Sequence, residues 1–445
     1  MKYLKFFIPF TLIVAILFNA GCNKDDDDDT TTTTKADVYL GVILPMDKSS
    51  GPFRENAVNT IVDEINAGGG VMGGHLIKTD IRSSEATGTL SREDQAAVIA
   101  NAILSDHSSE LVGFVTSFSS SSKGVALQVA DGNKIPQISG SSTANSNSNI
   151  SSYFQRLAPS DKFQSLVLSK KAIEYGITKV AIAVQTGDVF SEGLAQQFKE
   201  KFIADGGTIT DSVSFLESDP DYITKLTTLY SGNPDAVFTA ILSIDVEFLN
   251  NVKDNATVLG LNTDSLRFIF SDAQKTDNIL TQAPPEFLTG VINGNPRAFG
   301  ANAFPDTTSG SYIHFQSELK TRYSQDVESF NAQFYDIIYV FALSMERAVQ
   351  DGASIDDMGA FRIAVNDNIR KVSGDDSGES TANPQDGWSA NQTAAKSGDV
   401  NYEGASGNCD IDSNGDVVTN YDVYKIVDDG TGTLSFVTIE NISPN

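Results

Sequence analysis

The feature that most constrains this fold is an alternation, repeated along most of the chain, of short apolar runs with longer segments of helical spacing. In the first unit the run 38–44 precedes residues 53–66, where Ala57, Ile61 and Ile65 share one helical face. The predicted strands are 38–44, 77–81, 111–116 and 136–139 in a first set, and 179–184, 208–215, 236–241 and 268–271 in a second. Strands that alternate with helices build parallel sheets covered on both faces. The sequence therefore predicts an α/β protein with two Rossmann-like lobes and parallel central sheets.

Length and charge narrow the possible functions. The 445 residues are 40% hydrophobic and 20% charged, which allows more than one core. With 31 Lys and Arg against 58 Asp and Glu, the net charge is −27. Such a surface repels polyanions, so we expect no nucleic acid as a partner.

The N-terminus is typical of an exported protein. Residues 1–21 combine Lys2 and Lys5 with an apolar run and end in small residues, which predicts a signal peptide. Cys22 follows directly, and this arrangement resembles the bacterial lipobox, in which the cysteine is lipidated. Residues 22–36, rich in Asp and Thr, form the predicted tether, which is either a plain spacer or a surface-export signal. We expect a membrane-anchored lipoprotein of the cell envelope that faces the periplasm, with the outer surface as the alternative.

The C-terminal third has a different pattern. Residues 329–350 form the longest predicted helix, residues 373–398 predict a long surface loop, and residues 401–442 predict hairpins. If Cys22 is acylated, Cys409 has no partner for a disulfide, and we interpret it as a buried small side chain.

Polar loops follow two strands of the first set. Residues 117–123 come after the third strand and contain five serines and Lys123, and residues 139–143 (SGSST) come after the fourth. Ligands of open α/β sheets bind at the carboxyl ends of the strands. Hydroxyls and free N–H groups there suit a carboxylate, although the same serines are also good helix caps.

The motifs of common enzymes are missing from this sequence. Ser120 and Lys123 match one nucleophile pattern, but its partner motifs are absent, and the three histidines have no metal-ligand spacing. Residues 410–421 resemble a calcium loop, but Tyr421 stands where the bidentate glutamate belongs, so a turn is the better interpretation. We therefore expect no catalysis, no cofactor and no metal.

Eight pieces of sequence resemble one family, the type I periplasmic solute-binding proteins, and within it the branched-chain amino acid and amide receptors of ABC transporters. They are 41–45 (GVILP), 64–73 (EINAGGGVMG), the Ser120 loop, 138–143 (ISGSST), 190–193 (FSEG), 335–336 (YD), 401–407 (NYEGASG) and 412–416 (DSNGD). The resemblance covers residues 38–437. It implies two lobes joined by a multi-strand hinge.

The same resemblance implies a division of the chain between the lobes. The first lobe would comprise 37–157 and 296–398, and the second 158–295 and 399–445.

The resemblance also implies which residues bind the ligand. Its carboxylate would meet Ser120, or Ser119 or Ser121 if the register differs. The next loop would offer a main-chain carbonyl at Ser141 and, beside it, Thr143. These residues would hold the ligand from the first lobe.

The second lobe would supply Asp272 for an ammonium group, unless this residue only caps a helix. Phe190 and Leu242 would close over the ligand, and Tyr335 would face it from the long helix, with core packing as the alternative for Phe190 and Tyr335. Phe190 and Leu242 lack the hydroxyl common at these positions, so the second lobe offers fewer hydrogen bonds than amino acid receptors do.

The family implies a receptor that captures a small molecule by hinge closure and delivers it to the permease of an ABC importer. Amino acids, amides, short peptides and organic acids all fit. A ligand sensor or surface interaction lipoprotein on the same fold is the alternative, since a fold does not fix a function.

Overall fold

The structure is a computed structural model. The residues that it describes are 35–217, 219–303, 305–374 and 379–444. The predicted signal peptide, Cys22 and all but the last two residues of the predicted tether lie outside them. Among the described residues, no helix combines the length and the apolar character needed to cross a bilayer.

The first lobe is built on five parallel strands. They are β1 (Val38–Leu44), β2 (Ile77–Ser83), β3 (Leu111–Thr116), β4 (Gln137–Ser139) and β5 (Phe154–Arg156). The helices among them are α1 (Ser50–Ala67), α2 (Arg92–Asp106), α3 (Ser119–Val125) and, after a π-helical turn at Ala126–Ala130, α4 (Asp131–Asn133). The strand order is β2-β1-β3-β4-β5. β3 is buried at every position, as a central parallel strand must be, and the predicted alternation is confirmed.

The second lobe repeats the pattern. Its parallel strands are β6 (Lys179–Gln185), β7 (Thr208–Phe215), β8 (Ala236–Ala240), β9 (Phe268–Phe270) and, after a hairpin of β10 (Val291–Ile292) and β11 (Asn295–Pro296), β12 (Ala298–Ala303). Its helices are α5 (Asp161–Glu174), α6 (Val189–Ala204), α7 (Tyr222–Tyr230), α8 (Asp245–Asn255), α9 (Asp277–Gln282) and α10 (Pro285–Leu288). Apolar side chains cover both faces of this sheet.

After β12 the chain returns to the first lobe. This segment contains α11 (Gly310–Tyr323), α12 (Asn331–Gln350), α13 (Met358–Ser373), α14 (Trp388–Ser397) and a small sheet of β13 (Ser380–Ala382), β14 (Val400–Gly404) and β15 (Gly407–Asn408). The predicted long helix is α12, which is buried along most of its length in the first-lobe core and contacts α1 and α13.

The final hairpin completes the second sheet. β16 (Tyr421–Asp428) pairs antiparallel with β12, and β17 (Leu434–Ile442) pairs antiparallel with β16. The sheet order is β17-β16-β12-β9-β8-β6-β7. The prediction of hairpins in the last part of the chain is confirmed.

One prediction is wrong. Much of 373–398 is not a loop, since α13 extends to Ser373 and β13, a 3₁₀ turn at Pro384–Asp386 and α14 follow. Trp388 is buried against the first-lobe core, and its indole N–H donates to the Gly70 carbonyl at 2.8 Å. The many Gly, Ser, Asp and Asn residues of this segment favour a loop, but the burial of Trp388 fixes the segment against the core.

The chain passes between the lobes three times within the part that the structure describes. The first passage lies near residues 157–160. The next two lie later than 295/296 and 398/399, because β12 belongs to the second sheet and β14 packs on the first-lobe core. β12 is a fully buried strand, and β9 and β16 supply the hydrogen-bonded neighbours that it needs on both sides.

Candidate functional site

Loops at the carboxyl ends of both parallel sheets meet in a cleft between the lobes. α3, which follows β3, packs against α6, which follows β6. The Ser160 hydroxyl donates to Asn145 Oδ1 at 3.1 Å across the same gap. This is the place where α/β folds bind ligands.

The first lobe contributes five buried polar residues, Arg54, Ser117, Ser120, Ser141 and Thr143, which we call the first-lobe face. The hydroxyls of Ser117 and Ser141 lie 3.3 Å apart, so the loops after β3 and β4 are in contact. The structure thus brings the predicted Ser120, Ser141 and Thr143 to one side of the cleft.

The serines at the start of α3 have different partners. Ser119 Oγ accepts the Ala144 amide at 3.0 Å, and the Ser122 hydroxyl donates to the Ser117 carbonyl at 2.8 Å. The Ser121 oxygen is buried without a partner among the described residues. Ser119 and Ser122 therefore support the loop, which leaves Ser120 and Ser121 for a ligand.

Arg54, which the sequence analysis missed, belongs to the same face. It is 5% exposed, and its Nη1 donates to Ser117 Oγ at 2.8 Å. Its guanidinium carbon lies 5.2 Å from the centre of the Phe118 ring and 5.3 Å from that of Phe334. Burial lowers the pKa of Arg54 to about 10, although the nearby Glu328 and Asp272 carboxyls oppose this shift. One signal could have found it: Arg54 precedes Ala57 by three positions, on the apolar face of α1.

Two glycines allow the close packing around Arg54. A Cβ on Gly51 would lie 2.5 Å from the Pro45 carbonyl oxygen, and a Cβ on Gly140 would lie 2.8 Å from the Phe334 ring. The first glycine lets the loop after β1 fold against the start of α1, and the second lets the loop after β4 pack against α12.

Arg156 stabilises the loop after β4 through hydrogen bonds to its backbone carbonyls. Its Nη1 donates to the carbonyls of Ser142 and Ala144 at 2.8 and 2.9 Å, and its Nε donates to Asp416 Oδ1 at 2.8 Å. The ion pair of Arg156 and Asp416 is fully buried. Asp416, one of the residues in the calcium-like pattern, thus has a structural partner inside the protein.

The second lobe contributes acceptors. We call Asp161, Gln164 and Asp272, all buried, the second-lobe face. Asp272 follows β9, and its Oδ1 accepts from Gln164 Nε2 at 2.8 Å. Burial raises the pKa of Asp272 to about 6. The helix-cap alternative does not describe this residue, because Ser271 caps the 3₁₀ turn that contains Asp272 and Thr276 caps α9.

Asp161, like Gln164, is a second-lobe residue that the sequence analysis missed. Its amide donates to the Thr143 carbonyl at 2.8 Å, which ties the two faces together. The Thr143 side chain lies close enough to lower the pKa of Asp161, but burial and the Asp272 carboxylate raise that pKa well above its usual value. Neither carboxylate oxygen has a well-oriented hydrogen-bond partner among the described residues.

The other predicted site residues lie mainly in apolar surroundings. Phe190, in the first turn of α6, packs into a second-lobe core, and Leu242 lies at the edge of that core. Tyr335 lies in the first-lobe core, with its hydroxyl 2.9 Å from Glu64 Oε2 and its ring centre 4.8 Å from that of Phe315. The structure therefore does not bring Tyr335 together with the two faces.

The two faces together can hold a small molecule that carries both charges. Hydroxyl and guanidinium donors of the first lobe suit an anionic group, and carboxylates of the second lobe suit a cationic one. Within the described ranges, no group of three His, Cys, Asp or Glu side chains is arranged to hold a metal ion. A solvent-open groove of about 710 Å³ lies elsewhere, lined mainly by α8, α9 and the turn before β17, and contains neither face.

Two α/β lobes joined by three chain passages, with polar loops facing each other at the strand ends, define the type I periplasmic binding fold. The model of a family described as receptor family ligand binding region matches residues 53–429, and the chain belongs to that family.

Several solved structures share this fold. A leucine-binding protein from Thermotoga maritima is 21% identical with a TM-score of 0.69, and the match covers 92% of this chain and 99% of that one. A branched-chain amino acid transporter substrate-binding protein from Streptococcus pneumoniae, in complex with isoleucine, is 18% identical with a TM-score of 0.67. That match covers 92% of this chain and 100% of the other. A solute-binding protein from Rhodopseudomonas palustris, in complex with 3,4-dihydroxybenzoic acid, is 18% identical with a TM-score of 0.66 and coverages of 92% and 97%.

Proposed function

We propose that this protein is a lipid-anchored solute-binding receptor that captures an amino acid or amide-like molecule between its lobes and delivers it to an ABC importer. The observation that carries the proposal is the opposite character of the two cleft faces. Buried donors on one side and buried carboxyls on the other complement a zwitterion.

In the proposed complex, the ligand carboxylate accepts hydrogen bonds from Ser120, Ser141 and Thr143, and its ammonium group donates to Asp272. Phe190 and Leu242 supply apolar surface from the second lobe. Tyr335 is not part of the proposed contact set, since its hydroxyl is bonded to Glu64 in the first-lobe core.

Hinge closure follows from this division of contacts. A ligand held by both faces stabilises the closed form, in which the lobes are close. The shift from the open to the closed form is limited by how much more tightly the ligand binds the closed form. A permease that contacts both lobes could then distinguish the loaded receptor from the empty one. The solved relatives named above include proteins whose ligands are isoleucine and an aromatic acid, which supports small carboxylates as the ligand class.

The lipid anchor has its own test. We propose that Cys22 is acylated after removal of residues 1–21, which holds the receptor in the cell envelope. Metabolic labelling with a palmitate analogue should label the wild-type chain, and Cys22→Ala should abolish both the label and membrane retention. Equal labelling of the variant would contradict the anchor.

Ligand capture is tested by thermal unfolding of the chain from Lys35 onward with amino acids, amides, carboxylates, sugars and nucleosides. A ligand at 100 times its Kd adds about 2.7 kcal/mol of stability, which raises the melting temperature clearly. We expect zwitterionic amino acids to give the largest rise, accompanied by a smaller radius of gyration in X-ray scattering. A folded protein that responds to none of these classes would contradict the proposal.

Delivery is tested in cells. Uptake of the labelled ligand should fall when the gene is deleted and should return when the wild-type gene is restored. Normal uptake in the deletion strain would contradict the importer role without affecting ligand capture.

A further inference from the structure

We propose that Arg54 is the specificity residue of this receptor: its guanidinium binds an anionic carboxylate of the ligand beside Ser117 and Ser141, so that the protein accepts carboxylates and rejects the matching carboxamides. This inference rests on the proposed function and names the ligand class for the same cleft.

The position of Arg54 places a positive charge among the hydroxyls. Its Nη1 lies 2.8 Å from Ser117 Oγ, which in turn lies 3.3 Å from Ser141 Oγ. A group bound by Ser141 is therefore also within reach of the guanidinium. Serine hydroxyls alone can accept or donate, and so serve a carboxylate and an amide alike, whereas a guanidinium only donates.

The hydrogen bonds of Arg54 are incomplete. Its Nε is buried without a partner among the described residues. Arg54 forms no ion pair with a carboxylate of those residues, and Glu328 and Asp272 act on it only at longer range. A buried guanidinium without a paired anion is destabilising, and a bound carboxylate would offset much of that cost.

Two aromatic rings fix the guanidinium in place. Phe118 and Phe334 lie 5.2 and 5.3 Å from its central carbon, at distances where cation–π attraction operates. Because the group is already held, little conformational entropy is lost when an anion binds. Lysine, with a flexible stem and a point charge, would not reproduce this arrangement.

The test compares carboxylate and carboxamide pairs by calorimetry at pH 7.5: leucine and leucinamide, glutamate and glutamine, benzoate and benzamide. For at least one of these three pairs, we expect wild-type protein to bind the carboxylate at least 30-fold more tightly than the carboxamide. Arg54→Gln should lose at least 30-fold of the carboxylate affinity and should bind the two members of that pair within threefold. The carboxylate affinity of Arg54→Lys should lie between that of wild-type protein and that of Arg54→Gln.

A purely structural role makes different predictions. Arg54→Met removes a buried charge, so we expect the ligand-free melting temperature to stay the same or rise. A lower melting temperature, with equal loss of affinity for carboxylate and amide, would overturn the inference.

The outcomes separate the two proposals. If wild-type protein binds members of the panel without preferring carboxylates, the Arg54 inference fails and the receptor function stands. If wild-type protein binds no member of the panel, both fail. The wild-type comparison needs no variant, so a variant that does not fold cannot hide the answer.

Discussion

The two faces of the cleft are equally buried but opposite in chemistry. The first-lobe face consists of hydroxyls and one guanidinium, and the second-lobe face consists of two carboxyls and an amide. A second pair also spans the lobes: burial raises the pKa of Asp188 in the second lobe, and hydrogen bonds from Ser191 and the charge of Arg92 in the first lobe oppose this shift. Charged groups of each lobe thus act on groups of the other, although Arg54 is also influenced by Glu328 and Arg92 also pairs with Asp47, both in the first lobe. If one ligand contacts both faces, as we propose, neither lobe is a complete binding site alone.

The largest expected effect comes from removing the support of the first-lobe face. Arg156→Met leaves Asp416 as an uncompensated buried charge and releases the loop after β4. We expect a loss of about 3–5 kcal/mol in the free energy of unfolding, measured by urea denaturation.

A matched control is Lys320→Met, because Lys320 pairs with Asp326 on the surface. That change should cost less than about 1 kcal/mol. Equal losses for the two variants would show that Arg156 does not organise the loop.

The next effect tests the second-lobe face directly. Asp272→Asn keeps the shape but removes the charge that we assign to the ligand ammonium. We expect the affinity for a zwitterionic ligand to fall by about 100-fold, from the loss of a charge-assisted hydrogen bond in a buried site. Calorimetry measures this loss, and the exposed Asp254→Asn should leave affinity unchanged. An unaltered affinity in Asp272→Asn would remove this residue from the site.

The pH dependence separates stability from binding. Burial raises the pKa of Asp272 to about 6, so its folded-state pKa lies above the unfolded value near 4. The stability from this group is fully present below the unfolded value and is lost as pH rises through about 6. Asp245 and Asp336, whose pKa values burial raises to about 6, act in the same direction.

When the pH is lowered from 7.5 to 5, these carboxyl groups should take up protons and raise the melting temperature of the ligand-free protein. Ligand affinity should change in the opposite sense, falling about tenfold, because the ammonium requires the ionised carboxylate. Melting curves and calorimetry at both pH values check this pair of expectations. A ligand affinity that rises on acidification would show that an ionised Asp272 is not what binds it.

The smallest expected effect is that of Ser120→Ala. The loss of one neutral hydrogen bond to a carboxylate should weaken binding by about five- to tenfold, corresponding to about 1 kcal/mol. Titration of this variant beside the exposed Ser389→Ala measures the difference. A loss in Ser121→Ala instead would show that the register of the serine run is shifted by one residue.

The fold could be predicted from the sequence because its signal is local. Each buried strand and each helix carries its own period, and the loops after β3, β4 and β9 could be located from the strand ends. Asp161 could not be found in this way, since its importance depends on burial against groups far away in the chain. Arg54 had one local signal, its place on the apolar face of α1. The loop prediction for the segment around Trp388 was wrong for a related reason, because one buried ring stabilises structure in a segment of polar composition.

Ligand analogues show whether the two faces act together on one ligand. We would titrate wild-type protein with the amino acid that binds best, with the same molecule without its amino group, and with the same molecule without its carboxylate. We expect each deletion to weaken binding at least 30-fold. If an analogue lacking one of these groups binds as tightly as the parent amino acid, the two faces do not act together on the ligand.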